Sequence, residues 1–216
     1  MIDRAGLPAI GIAAVPAAVA ALAGRGRLAL GLTLAPAAVA AFFRDPDRRV
    51  DHVPADPDVV LSPADGKVMH VGDPQPGVAP EGDWLQVAIF LSVFDVHINR
   101  SPAAGVVQSV SYKPGKWLAA YTAESATENE CSEITLAVPV GGAERPLVFR
   151  QIVGLLARRV VTRVVPGQRI AAGERIGLMK FGSRMDVFVP RDCTLEVMRG
   201  DRVVAGETVI ARWPGV

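Results

Sequence analysis

The sequence predicts a mainly β protein, a β-rich sandwich with an internal hairpin repeat, preceded by an apolar helical hairpin. Three observations carry this. After residue 50, helical periodicity is scarce and short Val/Ile-rich runs alternate with Gly, Pro and Asp. Near the C-terminus, Gly167-Gln-Arg-Ile-Ala-Ala-Gly-Glu174 recurs as Gly200-Asp-Arg-Val-Val-Ala-Gly-Glu207, offset by 33 residues. The first 43 residues differ in kind: they hold two uncharged Ala-rich runs split by Arg25 and Arg27.

Those runs, Ala5 to Gly24 and Leu28 to Phe43, would span about 30 Å and 24 Å as helices at 1.5 Å per residue. The first is long enough to cross a bilayer, and the second is short. Pro8, Pro16 and Pro36 and the Ala-rich composition weaken insertion relative to a Leu-rich span. A cleaved signal peptide is the rival reading, since Ala18–Ala23 offers small residues near a cleavage point. Against it, Asp3 sits beside Arg4 and a second apolar run follows at once. The expectation is a retained membrane-associated hairpin over 1–43 and a β-rich domain over 44–216. Arg4, Arg44, Arg48 and Arg49 outnumber the two loop arginines, which places the main domain on the cytoplasmic face of the cell membrane.

The segment "FFRDPDRRVDHVPADPDVV" reads as a polar linker. "VVLSPADGKVMHVG" reads as strand, turn, strand, with Pro63-Ala-Asp-Gly66 as the turn. "WLQVAIFLSVFDVHINR" is the longest apolar strand-like stretch and belongs in the centre of a sheet. "CSEITLAVPV" and "PLVFRQIVGLLARRVV" supply further strands. The net charge of +1 leaves no polybasic footprint for nucleic acid. The two cysteines, Cys131 and Cys193, lack metal-ligand spacing, so no metal site is expected.

Candidate chemistry is sparse. Of three histidines, His52 lies in the linker and His70 follows a strand without an evident partner. His97 ends the long apolar strand, where alternation puts Asp95, His97 and Asn99 opposite Phe94, Val96 and Ile98. That is a good position for a general base. In "KFGSRMDVFVP" a Gly-Ser-Arg break separates an apolar run from a clean strand, and Ser183 there is either a turn residue or a positioned hydroxyl. With Asp65 in "SPADGKV", the chain offers an acid, a base and a nucleophile. "FGSRM" is not the Gly-x-Ser-x-Gly elbow of the α/β-hydrolases. A serine hydrolase using Asp65, His97 and Ser183 stays open. So does a biotinyl- or lipoyl-like carrier modified at Lys180, which lies between the two repeat copies in "LMKFGS".

Taken together, "FFRDPDR", "SPADGKV", "FDVHINRSP", "YKPGKW", "TENE", "QIVGLLARRVV" and "GERIGLMKFGSRMDVFVP" resemble the phosphatidylserine decarboxylases, specifically the short bacterial and archaeal subtype. The resemblance runs from about Phe42 to the C-terminus, and the combination and order of motifs make it specific. It implies self-cleavage between Gly182 and Ser183 into a large chain, 1–182, and a small chain, 183–216, which remain together as a heterodimer. Ser183 would become a covalent pyruvoyl group, the enzyme's only cofactor. Its ketone would form a Schiff base with the serine head of phosphatidylserine in the membrane and accept the electrons left by carbon dioxide. His97 would take the Ser183 proton and Asp65 would hold the imidazole in the required tautomer. One departure matters: longer members carry a second histidine where this sequence has Phe94, leaving His97 as the single candidate for both proton transfers.

Overall fold

The computed structural model describes residues 1–48, 58–155, 159–180 and 182–215. Arg49, His52 and Phe181 lie outside the described residues. The chain divides into two units, Met1–Asp47 and Arg48–Val216, with the division inside the polar linker.

The first unit is helical. A 3-10 turn (Arg4–Gly6) leads into α1 (Leu7–Leu22), followed by α2 (Gly26–Leu32) and α3 (Leu34–Phe42). Arg4–Leu22 is continuous, with a mean hydropathy of 2.0, and is long and apolar enough to cross a membrane. Helix α1 ends in a Schellman arrangement: Arg25 N–H donates to Ala20 O and Gly24 N–H to Ala21 O. That closure satisfies the last carbonyls and turns the chain back. Ile12, Val15, Val19 and Leu22 of α1 are exposed, so the helix presents apolar side chains outward.

The second unit consists of two interleaved halves with one topology. The first half supplies β1 (Val59–Leu61), β2 (Gly66–Gly72) and β3 (Trp84–Leu91), and later β11 (Ser183–Pro190), β12 (Thr194–Leu195), β13 (Arg202–Val203) and β14 (Val209–Arg212). The second half is continuous: β4 (Ile98–Arg100), β5 (Gly105–Lys113), β6 (Cys131–Val140), β7 (Ala143–Ile152), β8 (Val160–Thr162), β9 (Arg169–Ile170) and β10 (Arg175–Met179). A single helical turn, α4 (Ser125–Glu128), sits between β5 and β6.

The sheets display the duplication. The eight-stranded sheet runs β13-β2-β3-β11-β7-β6-β5-β9, and its two quartets mirror each other about the β11–β7 pair. Two three-stranded sheets, β1-β14-β12 and β4-β10-β8, correspond in the same way. Every strand ladder among the described residues is antiparallel. Individual bonds repeat as well. Gly206 N–H donates to Ser62 O and Gly173 N–H to Ser101 O, both at 2.8 Å. The Ser62 hydroxyl donates to Ala64 O and the Ser101 hydroxyl to Ala103 O, both at 2.7 Å. So the duplicated eight-residue pattern travels with a second one, Ser62-Pro-Ala-Asp-Gly66 and Ser101-Pro-Ala-Ala-Gly105.

Residues from all three sheets form one core, including Val60, Ile89, Ile134, Phe149, Ile176, Met185, Val187 and Ile210. Two details differ from the sequence reading. β1 and β2 flank the Pro63–Gly66 turn but pair in different sheets, β1 with β14 and β2 with β3 and β13. The repeat copies likewise carry the chain between sheets, since β9 pairs with β5 and β10 with β4 and β8. Strand partners at such distance in sequence leave no local signal.

Candidate active site

The second half joins β6 to β7 through a two-residue turn, Gly141–Gly142, with Val140 paired to Ala143. At the corresponding point of the first half, between Leu91 of β3 and Ser183 of β11, the entire second half is inserted. The two crossings this insertion requires, 92–97 outward and the return that ends at Gly182, meet at one end of the β3–β11 pair. His97 lies on one crossing, and the Gly182–Ser183 bond ends the other.

The outward crossing is built by a polar turn. Asp95 Oδ2 accepts from both the N–H and the hydroxyl of Ser92, at 2.8 and 2.7 Å, which ends β3 at Leu91. Arg202 donates to the other oxygen, Oδ1, at 2.6 Å. The turn breaks the alternation expected of a continuous strand. Asp95, Val96 and His97 are all buried, whereas Phe94 is 83% exposed. The imidazole is fixed at both nitrogens: Nδ1 lies 2.9 Å from Asp95 O, and Gly182 N–H points at Nε2 over 3.3 Å. A carbonyl can only accept, so Nδ1 carries the proton and Nε2 presents its lone pair toward the Gly182–Ser183 segment.

Ser183 opens β11 and is fully buried, and its hydroxyl has no hydrogen-bond partner among the described residues. An unpaired buried hydroxyl costs free energy that a purely structural serine would avoid. Gly182 has φ of +68°, a region that L side chains rarely adopt, although a Cβ there would meet nothing within 4 Å. Its carbonyl is fitted closely: a Cβ on Gly154 would lie 2.0 Å from Gly182 O. Gly154 therefore allows the segment after β7 to pack flush against the Gly182 carbonyl.

Asp65 stands elsewhere. Both its oxygens accept from Arg48, at 2.7 and 2.6 Å, and Oδ1 also accepts from Ala205 N–H at 2.8 Å. Its counterpart in the second half is Ala104, so Asp65 is a point where the two halves diverge. The position at Nδ1 that the sequence reading assigned to Asp65 is held by the backbone carbonyl of Asp95.

Beyond Ser183, Arg184 is buried and donates from Nε and Nη2 to both oxygens of Asp186, at 2.6 and 3.0 Å, and also to Gln75. Gln86 donates to the same carboxylate at 3.1 Å. Burial pushes the Asp186 carboxyl up, against the pull of Arg184. Arg184 forms part of the wall of a cavity of about 620 Å³, along with Phe90 and Tyr121, whose rings meet edge to face at 6.0 Å. Lys180, the alternative carrier position, is half-buried on the crossing between two sheets rather than at a hairpin tip.

The model of the phosphatidylserine decarboxylase family matches residues 36–211. This chain belongs to the phosphatidylserine decarboxylase family. Among its relatives, the phosphatidylserine decarboxylase proenzyme of Solibacter usitatus is 49% identical, over 79% of this chain and 76% of its own. That of Symbiobacterium thermophilum is 46% identical over 99% of this chain and 96% of its own, and that of Desulfotalea psychrophila 40% identical over 98% and 96%.

Sequence reasoning missed Gly154, the Ser92–Asp95–Arg202 support behind His97, and the Gln75–Gln86–Asp186 cradle of Arg184. Only the cradle had a visible signal: Arg184 and Asp186 alternate with Met185, Val187 and Val189 in a strand otherwise apolar.

Proposed function

We infer that this chain is a proenzyme that cuts itself at Gly182–Ser183 and then decarboxylates phosphatidylserine to phosphatidylethanolamine. The observation that carries the inference is the crossing itself. A buried Ser183 hydroxyl, unpartnered among the described residues, follows a left-handed glycine whose N–H meets the lone pair of His97 at 3.3 Å.

In the proposed maturation, the Ser183 Oγ attacks the Gly182 carbonyl carbon while His97 Nε2 takes the hydroxyl proton. The C–N bond breaks, the Ser183 nitrogen is protonated, and an ester links residues 182 and 183. Removal of the Ser183 Cα proton then expels Gly182 as a carboxylate and leaves dehydroalanine. Addition of water and loss of ammonia convert this to a pyruvoyl group at the head of the 183–216 chain. The ketone supplies the covalent point of attachment for the substrate amine and the electron acceptor for decarboxylation. The chain's own part is then to exclude water at the buried start of β11 and to hold at His97 Nε2 the proton that replaces the lost carboxylate. Asp65 acts in this scheme by anchoring the Ser62–Gly66 turn through Arg48 and Ala205.

The apolar N-terminal unit suits a lipid substrate by bringing the second unit to the headgroup layer, as a peripheral or hairpin anchor. The excess of arginine outside the hairpin loop favours the cytoplasmic face. The test is conversion of phosphatidylserine vesicles to phosphatidylethanolamine and carbon dioxide by the purified protein. His97→Ala should stay a single chain without activity. Normal maturation of that variant would remove His97 from the role, and a wild-type protein that leaves the lipid unchanged would overturn the function.

A further inference from the structure

The cavity beside β11 carries a charge pattern that self-cleavage does not use. Its walls include Lys67, His70, Arg184 and Arg199 but, among the described residues, no Asp or Glu. Arg184 is already matched by Asp186. Lys67 of β2 and Arg199 in the turn before β13 are exposed, and neither side chain has an ion-pair or hydrogen-bond partner among the described residues. The turn holds the two together: Gly200 N–H donates to Val68 O at 2.9 Å, and Arg202 is the ladder partner of Lys67. Phe90 and Tyr121 supply apolar surface in the same cavity.

We propose that Lys67 and Arg199 bind the phosphodiester of the lipid substrate, with Phe90 and Tyr121 flanking its glycerol end. Lys67, Phe90 and Arg184 are direct ladder partners across β2, β3 and β11, so their side chains share one face. With strands about 4.8 Å apart, the Lys67 and Arg184 Cα atoms are separated by about 10 Å. The pyruvoyl amide carbonyl would be bonded to the Arg184 nitrogen, with the reacting ketone on the next carbon, the former Ser183 Cα. In a serine phosphodiester the amine and phosphorus are four bonds apart, about 5 Å, and a lysine stem reaches roughly 6 Å. Together these reaches cover the gap. A cation on the departing carboxylate would stabilise the charge that decarboxylation must remove. The phosphodiester keeps its charge throughout, so binding it strengthens association equally before and during the reaction.

The proposal rests on the decarboxylase reading and is tested by turnover and by binding. Lys67→Gln and Arg199→Gln, as matured protein, are assayed on dihexanoyl phosphatidylserine below its critical micelle concentration. Calorimetry measures dihexanoyl phosphatidylethanolamine, which keeps the phosphodiester and lacks the carboxylate, on the same proteins. Each substitution is expected to raise KM on the order of tenfold with kcat little changed, and to weaken product binding by the same factor. A raised KM with unchanged product binding would assign the cations to the carboxylate and overturn the proposal. An effect on anionic vesicles that vanishes with monomeric lipid would reduce it to general surface attraction. The calorimetric arm needs no turnover, so product binding that is insensitive to both substitutions sinks the proposal whether or not the decarboxylase reading stands.

Discussion

Gly154→Ala is the substitution whose consequence the geometry states most sharply. The added Cβ would lie 2.0 Å from Gly182 O, against the 3.0 Å inside which real Cβ atoms essentially never approach. Residue 154 is not among the positive-φ glycines, so alanine brings no dihedral strain and acts through this contact. Both sides of it are backbone, which cannot rotate away as a flexible side chain would. The Gly182 carbonyl must therefore move by about 1 Å relative to the Ser183 hydroxyl and His97. A displacement of that size costs on the order of 10²-fold in a positioned reaction. The expected result is a folded precursor that converts to two chains about a hundredfold more slowly. The assay is a denaturing-gel time course after translation or refolding, with a thermal melt of the precursor to establish folding. Conversion at the wild-type rate would show that the Gly182 carbonyl need not be held where it is found.

Asp65→Ala should destabilise the precursor by about 2–3 kcal/mol in denaturant melts, because it strands the largely buried Arg48 guanidinium and the Ala205 N–H. Asp65→Ala and Arg48→Ala should slow maturation to a similar degree; a severe loss for Asp65→Ala alone, with Arg48→Ala neutral, would restore Asp65 as the direct partner of His97. Burial pushes the Cys193 thiol up to about 12, so the native protein should resist iodoacetamide at pH 8. Because that folded value exceeds the thiol's ordinary value of 9.0, its contribution to stability is complete below pH 9 and is lost as pH rises toward 12; melts flat across that window would contradict the shift. After cleavage the 183–216 chain should co-elute with the large chain without a disulfide. It supplies β11 between β3 and β7 and β14 between β1 and β12, and buried Met185, Val187, Phe188 and Val189 contribute about 1.5–3 kcal/mol each. Separation on native chromatography would refute the shared-sheet account.

Much of the fold class was legible because it depends on local pattern. The apolar helical runs, the strand after Ser183 and the repeated turn copies all show in composition and period. Pairing was not legible: nothing near Leu61 and Gly66 indicates that their strands join different sheets. Gly182, Ser183 and His97 were singled out through motif context, and the structure brings them to the two crossings between the halves. Asp65 was read as the partner of an imidazole because an Asp, a His and a Ser invite a triad. In the structure its carboxylate bonds Arg48 from the linker and the Ala205 N–H, and the carbonyl of Asp95 lies at His97 Nδ1. Backbone groups carry no residue-type signal, and Gly154 in "QIVGLL" looks like any strand-ending glycine until its distance to Gly182 is known.

The central claim, that the chain cuts itself at Gly182–Ser183 and leaves a ketone on the small chain, is tested most directly by intact-mass spectrometry of the purified protein. The account predicts two chains. One ends at Gly182. The other spans 183–216, is blocked to Edman degradation, and is lighter than the serine-initiated fragment by one ammonia. Ser183→Ala should remain one 216-residue chain. A single wild-type chain of 22.8 kDa, or two chains whose small member begins with an unmodified serine, would contradict the account.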